Sequence, residues 1–177
     1  MAERTASRPT DRVRSQRAGR RVALAAVFEA EFGQRTATAV LERQLAEVEA
    51  DPAAGELARS IVQIVVAQRD TIDARIERAA PQFPVVQLAR MDRALLRCAV
   101  GEVLHSRTPA RVAIAEWVEL ARTYSGDPMR RLMNGVLGTI SRETAGDLES
   151  TPNSEEGVSG HDLRPAQEDR RRAARRR

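Results

Sequence analysis

Residues 90–106, RMDRALLRCAVGEVLHS, constrain this chain more than any other stretch. Read as a helix, Arg93, Arg97 and Gly101 recur every four residues and form one narrow polar stripe. Met91, Ala94, Leu95, Leu96, Cys98, Ala99, Val100, Val103 and Leu104 cover the rest of the circumference. A helix apolar on most sides has to be covered on most sides. The run is therefore predicted to be the central helix of an all-α domain, punctuated by Pro84 before it and Pro109 after it. Glu102 is the lone acid on its apolar side. Buried polar groups need partners, so it is read as a carboxylate satisfied by a backbone group or an arginine.

The remaining helices follow from period and punctuation. Val22, Ala23, Ala26, Val27 and Ala30 predict a helix over about 18–32, with Gly33 as its stop. Thr36 or Thr38 can cap a second, whose apolar face is Val40, Leu41, Leu45 and Val48. A third is expected as one long helix over about 53–80, because the spacing of Leu57, Ile61, Ile64 and Val65 continues through Ile72 and Ile76. A short helical turn is expected over 85–89. After Thr108 and Pro109, another helix is expected to bury Val112, Ile114, Ala115, Val118, Leu120 and Ala121. The last runs over about 129–142, with Leu132, Met133, Val136, Leu137 and Ile140 inward. The expected fold class is thus all-α, with six or seven helices and no convincing strand. Residues 1–16 are read as a flexible basic arm, 17–144 as the helical domain and 145–177 as a disordered charged tail. The tail's Gly, Ser, Pro and charge-rich composition cannot offset its ordering entropy.

Charge is the next constraint. The formal net charge is +4, and all 29 basic residues are arginine. Residues 1–21 hold seven arginines against Glu3 and Asp11, whereas 22–144 and 145–177 are each near neutrality. A basic arm on a neutral body suggests a polyanionic partner. Arg14, Arg17, Arg20 and Arg21 run into the first helix, where arginines and free helix N–H groups together suit phosphate. Arginine also stacks on unpaired bases, although Arg-rich arms are common and such an arm alone is a weak signal. The terminal RRRAARRR is offset by nearby acids and is assigned no role.

Other chemistries find little support. The two histidines, His105 and His161, are not clustered with metal-ligating residues, and no Gly-rich loop follows a strand. The single cysteine, Cys98, fits a reducing compartment. No apolar run approaches a membrane span, so a cytoplasmic protein is expected. The reading from the residues is a non-enzymatic, cofactor-free binding protein whose basic arm suits a polyanion such as RNA. One alternative is a purely protein-binding helical module with an idle arm. Another, an RNA methyltransferase fragment, would require a following α/β domain with a Gly-rich cofactor loop, and residues 145–177 carry no such pattern.

The runs MDRALLRCAVGEVL, TPARVAIAEWVELARTYS and LMNGVLGTI, with RRVALAAVFEAEF ahead of them, resemble in order and spacing those of the bacterial transcription antitermination family NusB. The resemblance covers about residues 17–143. It implies two packed three-helix groups. It implies binding to the boxA element of ribosomal RNA transcripts as a heterodimer with ribosomal protein NusE, within the RNA polymerase antitermination complex. The family's RNA-contacting segment maps onto Arg17 and Arg20, with Arg14 and Arg21 as neighbours, and Phe28 is a candidate base platform. The family's acid used towards NusE maps onto Asp92. Leu132, Ala115 and Pro128 depart from the family's usual aromatic, Asn and acid. A homodimer without the partner is left open.

Overall fold

The computed structural model describes residues 9–47 and 51–149. The expected tail beyond Glu149, with RRRAARRR and His161, and residues 1–8 of the expected arm lie outside the described residues. Seven α-helices follow one another: α1 (Pro9–Ala30), α2 (Ala37–Glu47), α3 (Pro52–Ala67), α4 (Arg69–Ala79), α5 (Arg90–His105), α6 (Ala110–Ser125) and α7 (Asp127–Glu149). One 3-10 turn, Val85–Gln87, precedes α5, and no strand occurs among the described residues. The all-α expectation holds. Helices α1, α2 and α3 pack on one another, as do α5, α6 and α7, and α4 bridges to α5 and α7.

The central placement of residues 90–106 is also found. From Ala94 to Glu102 every residue of α5 is buried. It packs on helices of both groups, so one apolar core runs through the whole bundle. The polar stripe is itself engulfed. Arg97 is buried between Glu31 and Asp73. Gly101 sits where an added Cβ would come within 3.1 Å of Ile64 and 3.3 Å of Ile72, so a glycine there lets α5 approach α3 and α4 closely.

Four expectations are corrected. The first helix begins at Pro9, so residues 9–16 are helical rather than a flexible arm. Proline suits a first helical position and Asp11 complements the dipole of the first turn. The long third helix is two: the chain breaks at Gln68, whose φ of −115° and ψ of 18° are non-helical. Hydrogen bonding continues on both sides of the break, from Gln68 N to Ile64 O and from Ile72 N to Gln68 O, and Ile72 and Ile76 stay buried. The apolar period therefore survives the break and hides it. The phase of α6 also differs. Val112 and Ala115 are exposed, and Ile114 and Val118 are half-buried, while Ala113, Trp117, Leu120 and Ala121 face the core. An apolar run this dense leaves its phase open, and the bulk of Trp117 decides it. Finally, α7 extends to Glu149, so the boundary expected at 144 falls within a helix.

The turns use glycine where it is needed. Gly33 ends α1 with φ of 76°, and Gly126 joins α6 to α7 with φ of 83°. On α1, a Cβ at Gly19 would lie 2.6 Å from the Ala54 carbonyl oxygen. That close approach locks α1 onto α3 and sets which side of α1 faces solvent.

Candidate nucleic-acid interface

With Gly19, Ala23, Ala26 and Val27 turned inward, the opposite side of α1 is open. Thr10, Val13, Arg14, Arg17, Ala18 and Arg21 line a shallow surface groove there. Their spacing of three and four residues places them on one helical face. Arg14 and Arg21 are exposed and have no carboxylate partner among the described residues. Arg17 is exposed too, but its guanidinium forks onto Glu116 of α6. Nε lies 2.8 Å from Oε2 and 3.1 Å from Oε1, and Nη2 lies 3.0 Å from Oε1. That hydrogen bond, backed by the nearby charges of Glu116 and Glu119, raises the pKa of Arg17.

Phe28 lies on the same face, seven residues or about 10 Å beyond Arg21. It is half-buried against the core, and its ring meets Phe32 edge-on at 5.4 Å and 88°. Phe32 is 53% exposed, with the Arg90 guanidinium 4.8 Å from its ring centroid. The α1 face thus reads, in order, as cations and then aromatic surface. Phosphates suit the first part and bases the second.

Arg20 is a correction to the expected RNA-contacting set. It is 1% exposed. Its Nε donates to Glu102 Oε2 at 2.9 Å and its Nη2 to Oε1 at 2.7 Å. Trp117 Nε1 donates to the same Oε2 at 2.6 Å. Glu102 is therefore the satisfied carboxylate that its sequence context implied, and Arg20 is consumed in satisfying it. Nearby, burial first and Glu102 second push the Cys98 thiol far above its ordinary value, so it is held as a neutral, unreactive group.

Asp92 opens α5, half-buried, and accepts a hydrogen bond from Ser125 Oγ at the end of α6. A second network lies beside it. Glu31 accepts from Arg93 Nε at 2.7 Å and Arg97 Nη1 at 2.5 Å, and Asp73 takes Arg97 Nε and Nη2 at 2.8 and 2.7 Å. Burial would lower the Arg97 pKa, but Asp73 and Glu31 outweigh it and the value rises. These groups hold α1, α4 and α5 together. Leu132 is half-buried beside Arg131 and Phe83 in a separate open groove, and Ala115 and Pro128 are exposed. Among the described residues there is no cluster of metal-ligating side chains, and no helix is long and apolar enough to cross a membrane.

Sequence reasoning missed Glu116, Phe32 and Arg90. Phe32 could have been found four residues after Phe28. Nothing local flags Glu116, which lies 99 residues from Arg17.

Comparison with known proteins adds an independent line. The model of the NusB family matches residues 17–142. The transcription antitermination protein NusB of Dehalococcoides mccartyi is 35% identical over 132 residues, covering 74% of this chain and 92% of that protein. The structure of T. maritima NusB superposes with a TM-score of 0.67 at 30% identity, covering 72% of this chain and 91% of that one. A crystal structure of the antitermination factors NusB and NusE in complex with dsRNA has a chain of the same fold, with a TM-score of 0.65. It is 22% identical and covers 73% of this chain and 98% of that one.

Proposed function

This chain belongs to the NusB family, and from that premise we propose that it is a non-enzymatic RNA-binding adaptor of transcription antitermination. In this reading it binds single-stranded boxA-type RNA of ribosomal RNA transcripts together with ribosomal protein NusE, and delivers the pair to RNA polymerase in the cytoplasm. The observation that carries the reading is the α1 face, where Arg14, Arg17 and Arg21 lead to Phe28 on one side of one helix. Arginine holds phosphate bidentately, and an adjoining aromatic ring can take a base. Arg20 has no part in it. Asp92 is the proposed contact to NusE, since it stands where the family carries that acid and is half-exposed at the start of α5.

The purely protein-binding reading draws on one fact. Two of the four expected arginines already have carboxylate partners. A titration of labelled boxA RNA and of scrambled RNA, with and without NusE over a salt series, separates the two. Salt-dependent binding that prefers boxA and tightens with NusE is the expected result. No RNA binding under any of these conditions would leave the α1 arginines idle and the protein-binding reading in place.

A further inference from the structure

Of the three exposed arginines on the α1 face, Arg17 alone has a carboxylate partner among the described residues. The partner is well placed to be a rival. Glu116 engages Arg17 through Nε and Nη2, the side-on fork by which a guanidinium also takes a phosphate. The acid is the anchored member. Its side chain is 19% exposed and rises from the middle of α6, whereas that of Arg17 is 57% exposed. Glu119, one turn further along α6, spends its own carboxylate on Arg122 and leaves Glu116 as the direct partner. An Arg17 so paired adds almost no net charge to the groove. A strand lying along Arg14, Arg17 and Arg21 can take the side-on edge of Arg17 only after Glu116 has let go.

We propose that Glu116 is an intramolecular rival of RNA, a stand-in for phosphate that occupies the side-on edge of Arg17 at the groove and is displaced when a backbone phosphate arrives. The inference rests on the reading of the α1 face as the RNA surface. Because the rivalry concerns phosphate and not bases, it lowers affinity for every RNA alike and leaves sequence preference untouched. Its magnitude is bounded by the modest strength of exposed ion pairs, which corresponds to a factor of about two to five in affinity.

The test is Glu116→Gln, which keeps the side chain's shape and removes its charge, with Glu116→Ala as a second variant. Full-length protein is titrated with boxA and with scrambled RNA over a salt series, and its melting curve is recorded. The expected result is binding about two- to fivefold tighter for both RNAs. The salt slope should steepen by up to about 0.7, the contribution of one neutralised single-strand phosphate. Both gains should vanish in an Arg17→Ala background and persist in an Arg14→Ala background. Unchanged or weaker binding by Glu116→Gln would overturn the proposal. So would a gain that survives Arg17→Ala, since that would be a general charge effect. Loss of RNA binding by the wild-type chain is a different outcome, and it would remove the RNA reading itself.

Discussion

Arg17 and Arg20 stand three residues apart on α1, and each forks side-on to a glutamate of the C-terminal helix group. The bond lengths barely differ: 2.8 and 3.0 Å for Arg17, 2.9 and 2.7 Å for Arg20. What differs is water. The side chains of Arg20 and Glu102 are 1% and 0% exposed, those of Arg17 and Glu116 57% and 19%. The buried pair is closed off from solvent, and Trp117 adds a further donor to Glu102. At the surface pair, water can solvate either member, and an anion such as phosphate can take the place of Glu116 at little cost. About 60° of rotation around one helix thus separates an arginine that holds the fold from one free to exchange partners.

The sharpest way to break this comparison is to truncate both arginines. Arg20→Ala leaves Glu102 buried without its counter-charge, with only the Trp117 N–H as a donor, and losing one partner of a buried ion pair typically costs about 3–5 kcal/mol. Urea unfolding followed by the emission of Trp117, the single tryptophan, reads that loss directly. A loss under about 1 kcal/mol would mean that water reaches Glu102 and that the buried pair is no different from the exposed one.

Next in size is the effect on RNA. Arg14→Ala with Arg21→Ala is expected to weaken RNA binding and to lower the magnitude of its salt slope by up to about 1.4. The urea midpoint should barely move, since both side chains are exposed and neither holds a carboxylate among the described residues. An unaltered slope would take both arginines out of the proposed RNA surface. A smaller effect is expected from Arg17→Ala on folding. The urea midpoint should stay within experimental error of the wild type, and any difference should vanish at high salt, as for other exposed pairs. A midpoint shift approaching that of Arg20→Ala would erase the distinction between the two pairs.

The smallest effect concerns pH. Hydrogen bonds from Arg59, Arg122 and Arg130 hold the carboxyls of Glu42, Glu119 and Asp127 below their ordinary values of 4.5, 4.5 and 3.8. A carboxyl depressed in the folded state contributes stability above its unfolded pKa and loses it as pH falls through the folded one. Stability should therefore be flat from neutrality down to about pH 5 and decline below the ordinary carboxylate values, less steeply in added salt. A decline that begins above pH 6 would assign the acid sensitivity to groups other than these surface carboxyls.

Much of this architecture is legible along the chain because its cause is local. The all-α class, the central place of residues 90–106 and the satisfied state of Glu102 follow from apolar period, proline and glycine punctuation, and the cost of burying a bare carboxylate. The basic character of α1 is equally plain in composition. Less legible were features with no local signal. The break at Gln68 leaves the apolar period intact on both sides. The phase of α6 is blurred by the aliphatic residues of 112–118 lying on both sides of its core face, and it is fixed by Trp117, whose indole N–H reaches Glu102.

The division of labour among the α1 arginines belongs to this second kind. Arg14, Arg17, Arg20 and Arg21 are chemically identical, and an Arg-rich run announces a polyanion partner without saying which of them will meet it. Period and charge, read along the chain, suffice to make a helical bundle with a basic first helix. The docking of that helix then fixes its rotation, through the contact of Gly19 with Ala54 and the pairing of Arg20 with a glutamate 82 residues away. The same docking brings Glu116 to Arg17 from 99 residues away. Burial and partner choice depend on what the rest of the chain lays against a side chain, and that is settled only when the helices pack.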